Sequence, residues 1–89
     1  MTRALIFDGD RLTLNVNAAA GSIRVALLKE TGIAHSGFDI EDCDPVKTDS
    51  IHKTVTWRGK SNVGELAGKV ARVKFELENA KLYAFQFAP

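Results

Sequence analysis

Apolar and polar residues alternate along most of this chain, and Gly, Asn, Asp and Pro interrupt the alternation roughly every ten residues. Leu12, Leu14 and Val16 alternate with Thr13, Asn15 and Asn17. Ile23, Val25 and Leu27 alternate with Arg24 and Ala26. Val73, Phe75 and Leu77 alternate with Arg72, Lys74, Glu76 and Glu78. A period of two places one set on each face of an extended strand, so one set can be buried while the other meets water. For residues 22–30 a helix competes with the strand, but the alternation and the flanking Gly21 and Gly32 favour the strand.

The same reasoning predicts strands over 3–7, 12–17, 23–27, 37–40, 53–58, 70–78 and 82–87. Asp8-Gly9-Asp10 is a turn of the kind Asp-Gly favours. Further turns fall at 18–21, 30–32 and 79–80. Pro45 forces an irregular stretch from 41 to 50, because the residue before a proline avoids helical geometry. A single helical turn within 61–68, with Ser61 as its cap, is the only helix expected. On the strand over 53–58, Val55 and Trp57 share one face. On the last strand Tyr83, Phe85 and Phe87 share one face. The fold class predicted is all-β: an antiparallel, jelly-roll-like β-sandwich of roughly six to seven strands. The expected core is Leu12, Leu14, Val16, Ile23, Val25, Leu27, Val55, Trp57, Val73, Phe75, Leu77, Phe85 and Phe87.

At 89 residues the chain is expected to be one module, 1–89, serving as an accessory domain or a fragment of a larger protein. Twelve Lys and Arg against eleven Asp and Glu leave a net charge of +1, so no basic footprint for nucleic acid exists. Apolar runs reach about four residues, against the roughly 20 that a membrane-spanning helix needs. The first eight residues do not read as a signal peptide, which leaves a cytoplasmic or a secreted parent open. Cys43 is the single cysteine, so no intrachain disulfide can form. It cannot build a zinc framework with the separated His35 and His52. No Ser or Cys motif accompanies either histidine, and a nucleophilic triad has no support.

Three groups of residues are candidates for a site. Glu41, Asp42, Asp44 and Asp49 crowd one loop, and hard oxygens on a turn can hold Ca²⁺. Asp42, Asp44 and Asp49 are its candidate ligands, although the spacing is not that of an EF-hand. The competing reading is turn capping, with Asp side chains bonding nearby amides. Trp57 and Tyr83 could stack against sugar rings, as exposed aromatics do in carbohydrate-binding modules. The phase of Trp57 with Val55 argues instead for the core, and that of Tyr83 with Phe85 and Phe87 for an inward or edge position. Arg24, Arg72, Lys74, Glu76 and Gln86 make a polar outer surface. Two carboxylates across a cleft would be needed for glycoside cleavage. A module of this size offers little cleft, so the chain is not expected to be an enzyme by itself, and no cofactor beyond Ca²⁺ is suggested.

The stretch 21–87 carries a resemblance. Its marks are Gly21-Ser22-Ile23-Arg24-Val25, Gly37-Phe38 leading to Glu41-Asp42-Cys43-Asp44-Pro45, and Asp49-Ser50-Ile51 before Val55-Thr56-Trp57-Arg58-Gly59-Lys60-Ser61. Leu66-Ala67-Gly68-Lys69 then opens Arg72-Val73-Lys74-Phe75-Glu76-Leu77, and Ala80-Lys81-Leu82-Tyr83-Ala84-Phe85-Gln86-Phe87 closes it. This resembles the C-terminal β-sandwich module of bacterial proteins related to glycoside hydrolase family 32, five-bladed propeller enzymes acting on fructans. Ile33-Ala34-His35-Ser36 departs from the Pro-containing turn those modules favour. In that class the catalytic carboxylates belong to the propeller, so no catalytic residue transfers here. The resemblance implies an accessory domain, and two functions follow as expectations. One is domain packing or oligomerisation, with an adjacent catalytic domain or a second copy as partner and with Leu28, Ile33, Leu82 and Ala84 supplying an apolar patch. The other is a carbohydrate-binding module for a polysaccharide.

Overall fold

The computed structural model describes residues 5–7 and 9–88. It contains β1 (Leu5–Ile6), β2 (Arg11–Asn17), β3 (Ser22–Leu28), β4 (Asp49–Thr54), β5 (Val70–Glu78) and β6 (Lys81–Ala88). These form two antiparallel sheets, ordered β1-β5-β3 and β4-β2-β6. Among the described residues the only helical pieces are one-turn 3₁₀ segments at Ile40–Asp42 and Gly64–Leu66. The chain is therefore all-β and antiparallel, as the alternation predicts. The expected first strand and the Asp8 turn lie partly outside the described residues.

Every connection between successive strands passes from one sheet to the other. β2 and β3 run beside β6 and β5 as a single antiparallel ribbon, with Asn17 opposite Lys81 and Ser22 opposite Glu78. Between those pairs the ribbon folds over. One strand of it turns through Ala18–Gly21 and the other through Asn79–Ala80, where Asn79 adopts a left-handed φ of 48°. Asparagine is among the few residues that accept that conformation readily. The two corners touch at Gly21, where an added Cβ would stand 1.8 Å from the Glu78 carbonyl oxygen and 2.8 Å from that of Asn79. Only a hydrogen in place of a side chain permits this approach.

The inner faces of both sheets feed one core. Leu12, Leu14 and Val16 of β2 join Ile23, Val25 and Leu27 of β3 and Ala71 and Val73 of β5. Phe38, Cys43, Val46, Val55, Trp57, Val63 and Leu66 close it from the connections. Each large side chain so buried contributes about 1.5–3 kcal/mol against the entropy of ordering. Phe75, Phe85 and Phe87 are only partly buried, and Leu77 is 43% exposed. Leu77 lies two residues from the corner at Asn79, at the rim of the core rather than inside it. Leu28, expected at the surface, is 5% exposed. It shares the outer face of β3 with the buried Ala26, opposite Arg72 and Lys74.

Two strand predictions are corrected. Residues 37–40 form a turn leading into the 3₁₀ segment, not a strand. The strand expected over 53–58 is instead β4, Asp49–Thr54. Val55 keeps one ladder bond, its amide donating to the Leu12 carbonyl at 2.9 Å, and the chain then leaves β2. That departure lets Trp57 reach the other sheet. Ser61 does not cap the later 3₁₀ turn; Asn62 Oδ1 accepts from the Gly64 amide at 2.7 Å instead.

Replacing Gly21 by Ala sets a Cβ against backbone that cannot rotate away. We expect Gly21→Ala to destabilise the fold by about 2–3 kcal/mol, at the upper end of overpacking costs, measured as a fall in the urea midpoint. An unchanged midpoint would mean that the two corners do not touch.

Candidate functional site

The residues nominated by sequence separate into two regions. Trp57 is 1% exposed. Its Nε1–H donates to the Val25 carbonyl at 2.9 Å, and its ring meets Phe38 edge-on with centroids 5.3 Å apart. No face of the indole is open to a sugar, so Trp57 belongs to the core. Beside it, the Val25 amide donates to Cys43 Sγ at 3.3 Å. Burial pushes the Cys43 thiol above its ordinary pKa. The Val25 amide opposes that shift, Asp44 adds to it and Arg24 opposes it. A buried, protonated thiol is a poor nucleophile.

The acidic loop is fastened to the segment around Trp57 and is not gathered around a cation. Asp42 Oδ1 accepts from Arg58 Nε at 2.9 Å, and Asp42 Oδ2 accepts from the Asp39 amide at 3.3 Å. Asp44 Oδ2 accepts from Thr56 Oγ1 at 2.7 Å and from the Gly59 amide at 2.8 Å. These bonds hold a tight hairpin turn. Trp57 and Lys60 exchange amide–carbonyl bonds of 2.8 and 3.0 Å, with Arg58 and Gly59 at φ of 51° and 81° between them. Positive φ at both central positions defines a type I′ turn, natural for Gly59 and costly for Arg58. Asp49 stands apart on β4, opposite Asn17. Among the described residues no group of three or more His, Cys, Asp or Glu could hold a metal ion. Asp42, Asp44 and Asp49 thus do not converge, and the first two already accept donors.

The second region is the outer face of the β4-β2-β6 sheet. Both neighbours of β2 carry an extra residue at the same level. Leu14 and Val16 lie opposite Lys53 and Ser50, and Asn15 and Val16 lie opposite Ala84 and Leu82. A bulge shifts the phase of every side chain beyond it. This is why Leu82, out of phase with Phe85 by simple alternation, packs against the core, while Tyr83 turns out to solvent at 61% exposure. Tyr83 is thus corrected from an inward position to a surface one. On β4 the matching irregularity leaves Ile51 84% exposed. A shallow depression of about 240 Å³ lies across this face, lined by Thr13, Asn15, Ile51, His52, Ala84 and Gln86 among others. It brings together two side-chain amides, an imidazole, a hydroxyl and an exposed aliphatic side chain. Sequence reasoning passed over Asn15 and Ile51 and weighed His52 only as a zinc ligand or triad member. The available signal was the spacing of three between Leu82 and Phe85, which strict alternation does not allow.

No protein family, curated protein or solved structure matches this chain.

The donors on Asp44 favour its charged form, Thr56 first and Gly59 second, and hold its carboxyl below the ordinary 3.8. A carboxyl depressed in the fold stabilises the fold at pH above its unfolded value, and that contribution is lost as pH falls below 3.8 toward the lower folded value. Asp44→Asn should therefore flatten the acid side of the stability–pH profile while leaving its neutral-to-basic slope as it was. Thermal melts between pH 2 and 7 would show this, and an unchanged acid limb would contradict the assignment.

Proposed function

We propose that this chain is a non-catalytic accessory module that acts by contact, and that the outer face of the β4-β2-β6 sheet is its binding surface. The observation that carries the reading is the pair of bulges flanking Asn15 and Val16, which turn Ile51 and Tyr83 out on either side of β2. Bulges of this kind re-aim side chains at functional rims. Large apolar side chains held in water beside polar groups are what a contact surface presents.

The ribbon that folds over at Gly21 supports a finer picture, two sheets stacked as a jelly-roll-like β-sandwich. The resemblance to the C-terminal modules of proteins related to glycoside hydrolase family 32 gives the proposed setting, packing beside a catalytic domain. Of the patch expected from sequence, Ile33 and Ala84 are exposed, whereas Leu28 is covered on the outer face of β3 and Leu82 packs against the core. The working patch is therefore redrawn around Ile51, Tyr83 and Ala84.

A second reading rests on Tyr83 and the depression. An exposed aromatic ring on the same strand as Gln86, with the amides of Asn15 and Gln86 lining the depression, would serve a glycan, whose C–H faces stack on rings and whose hydroxyls pair with amides. Amide ¹H–¹⁵N titrations separate the two readings. One series would use inulin, xylan and β-glucan oligomers, the other a propeller domain of the family 32 type. Shifts confined to residues 13–15, 51–54 and 83–86 on adding the propeller domain are the expected result. The same shifts on adding an oligosaccharide would select the glycan reading. Saturable shifts elsewhere, or none in either series, would overturn this face as the binding surface.

A further inference from the structure

We propose that the free edge of β6 pairs with the same edge of a second copy, antiparallel about a two-fold axis at Phe85, joining two β4-β2-β6 sheets into one sheet of six strands. The proposal concerns the edge of the sheet and stands apart from the binding role of its outer face.

The argument begins with the direction of the peptide groups. The Val55 amide bonds the Leu12 carbonyl, so Leu12 and Leu14 turn their peptide groups toward β4. Neighbouring residues of a strand alternate, so Thr13 and Asn15 turn theirs toward β6, where Gln86 and Ala84 answer them. That leaves the amides and carbonyls of Phe85 and Phe87 pointing away from β2, along the outer edge of the sheet, with no partner strand among the described residues. An open row of such groups is a template for another strand.

What would meet this template follows from the residues of β6 itself. From Leu82 to Ala88 the strand carries no charge and no proline, and Lys81 stands at its end. Edges that must stay single are blunted with inward charges or proline, and the one irregularity here, at Tyr83, leaves Ala84 to Ala88 regular. Pairing about Phe85 sets Phe85 against Phe85, an aromatic pair of the kind that stabilises antiparallel ladders, while Tyr83, turned to the outer face, falls opposite the inward Phe87 without ring contact. The small Ala84 then faces the larger Gln86. No like charges oppose, because Lys81 falls beyond the paired stretch. The edge is thus complementary to itself, and a second copy is the occupant it fits. β4, the other edge of the same sheet, differs: Asp49, His52 and Lys53 break it, and Ser50 Oγ already accepts the His52 amide at 3.1 Å.

The register supplies its own test. Ala84 and Gln86 are exposed on the outer face, so both accept charge without entering the core. In the proposed pairing each lies directly opposite the other in the partner copy, at a position where cross-strand side chains approach closely. Sedimentation equilibrium over a wide concentration series should give twice the 9.7 kDa chain mass for the native protein. Ala84→Lys with Gln86→Lys should return it to the single-chain mass by placing lysines opposite each other. Ala84→Glu with Gln86→Lys should restore the doubled mass through two opposite-charge pairs. Should a variant fold poorly, hydrogen exchange on the native protein gives an independent reading. The Phe85 and Phe87 amides should slow by about tenfold or more between the lowest and highest concentrations, as amides do when they gain a partner. A native chain of single mass at every concentration would overturn the proposal. So would a doubled mass untouched by the paired lysines, or a change of exchange rate confined to β4.

Discussion

The structure turns on how one peptide group, that of Val25, finds its partners. β3 is an edge strand, with only β5 beside it, yet Val25 is fully buried. A buried amide or carbonyl without a partner costs about 1–3 kcal/mol. The edge is closed in pieces. Val46 exchanges bonds with Ile23 at 2.8 and 2.9 Å, and Phe38 and His35 serve Leu27 at 2.9 Å each. Between them Val25 is satisfied by two side chains, the thiol of Cys43 on its amide and the indole of Trp57 on its carbonyl. The long connection from β3 to β4 must therefore lie along this edge, and the segment after β4 must leave β2 in time to deliver Trp57. Asp42 and Asp44 tie the two segments to each other outside the core. Two of the four acids of the loop, Asp42 and Asp44, are accounted for by this fastening.

That arrangement explains what could be read from the amino-acid order and what could not. Alternation identified β2, β3 and β5, because each is extended and regular, but not the burial of Ala26 and Leu28 on the outer face of β3 or the exposure of Leu77 on β5. It placed Trp57 with Val55 in the core correctly, but put the wrong residues in the strand. Val55 and Trp57 are both buried although only the residues before them are in a ladder. Side-chain burial and strand pairing are separate requirements, and alternation reports only the first. The contact of Gly21 with the Glu78 carbonyl joins positions far apart in sequence, so no local pattern announces it. Composition favoured caps over ligands for the loop acids, but their partners, Thr56, Arg58 and Gly59, could not be named until the fold brings them beside Asp42 and Asp44.

The candidate surface was legible only in part, for a related reason. Tyr83 was singled out, but as an inward residue, since a period of two carried through from Phe87 and Phe85 places it there. A single extra residue in β6 reverses that assignment, and a matching one in β4 exposes Ile51. Both irregularities flank the same point on β2. The face they shape and the open β6 edge belong to the same sheet. Contrast between the two sheets is the basis of the functional reading. The β3 edge is closed by the chain itself, whereas β6 has no second neighbour among the described residues.

Hydrogen exchange at the Trp57 indole tests the central element of this account most directly. If Nε1–H closes the Val25 carbonyl in the core, its NMR signal should exchange only through global unfolding, at the rate of the slowest backbone amides of β2 and β3. An indole proton that exchanges rapidly, or whose signal moves when a polysaccharide is added, would contradict it, and the closed edge of β3 would have to be rebuilt around another donor.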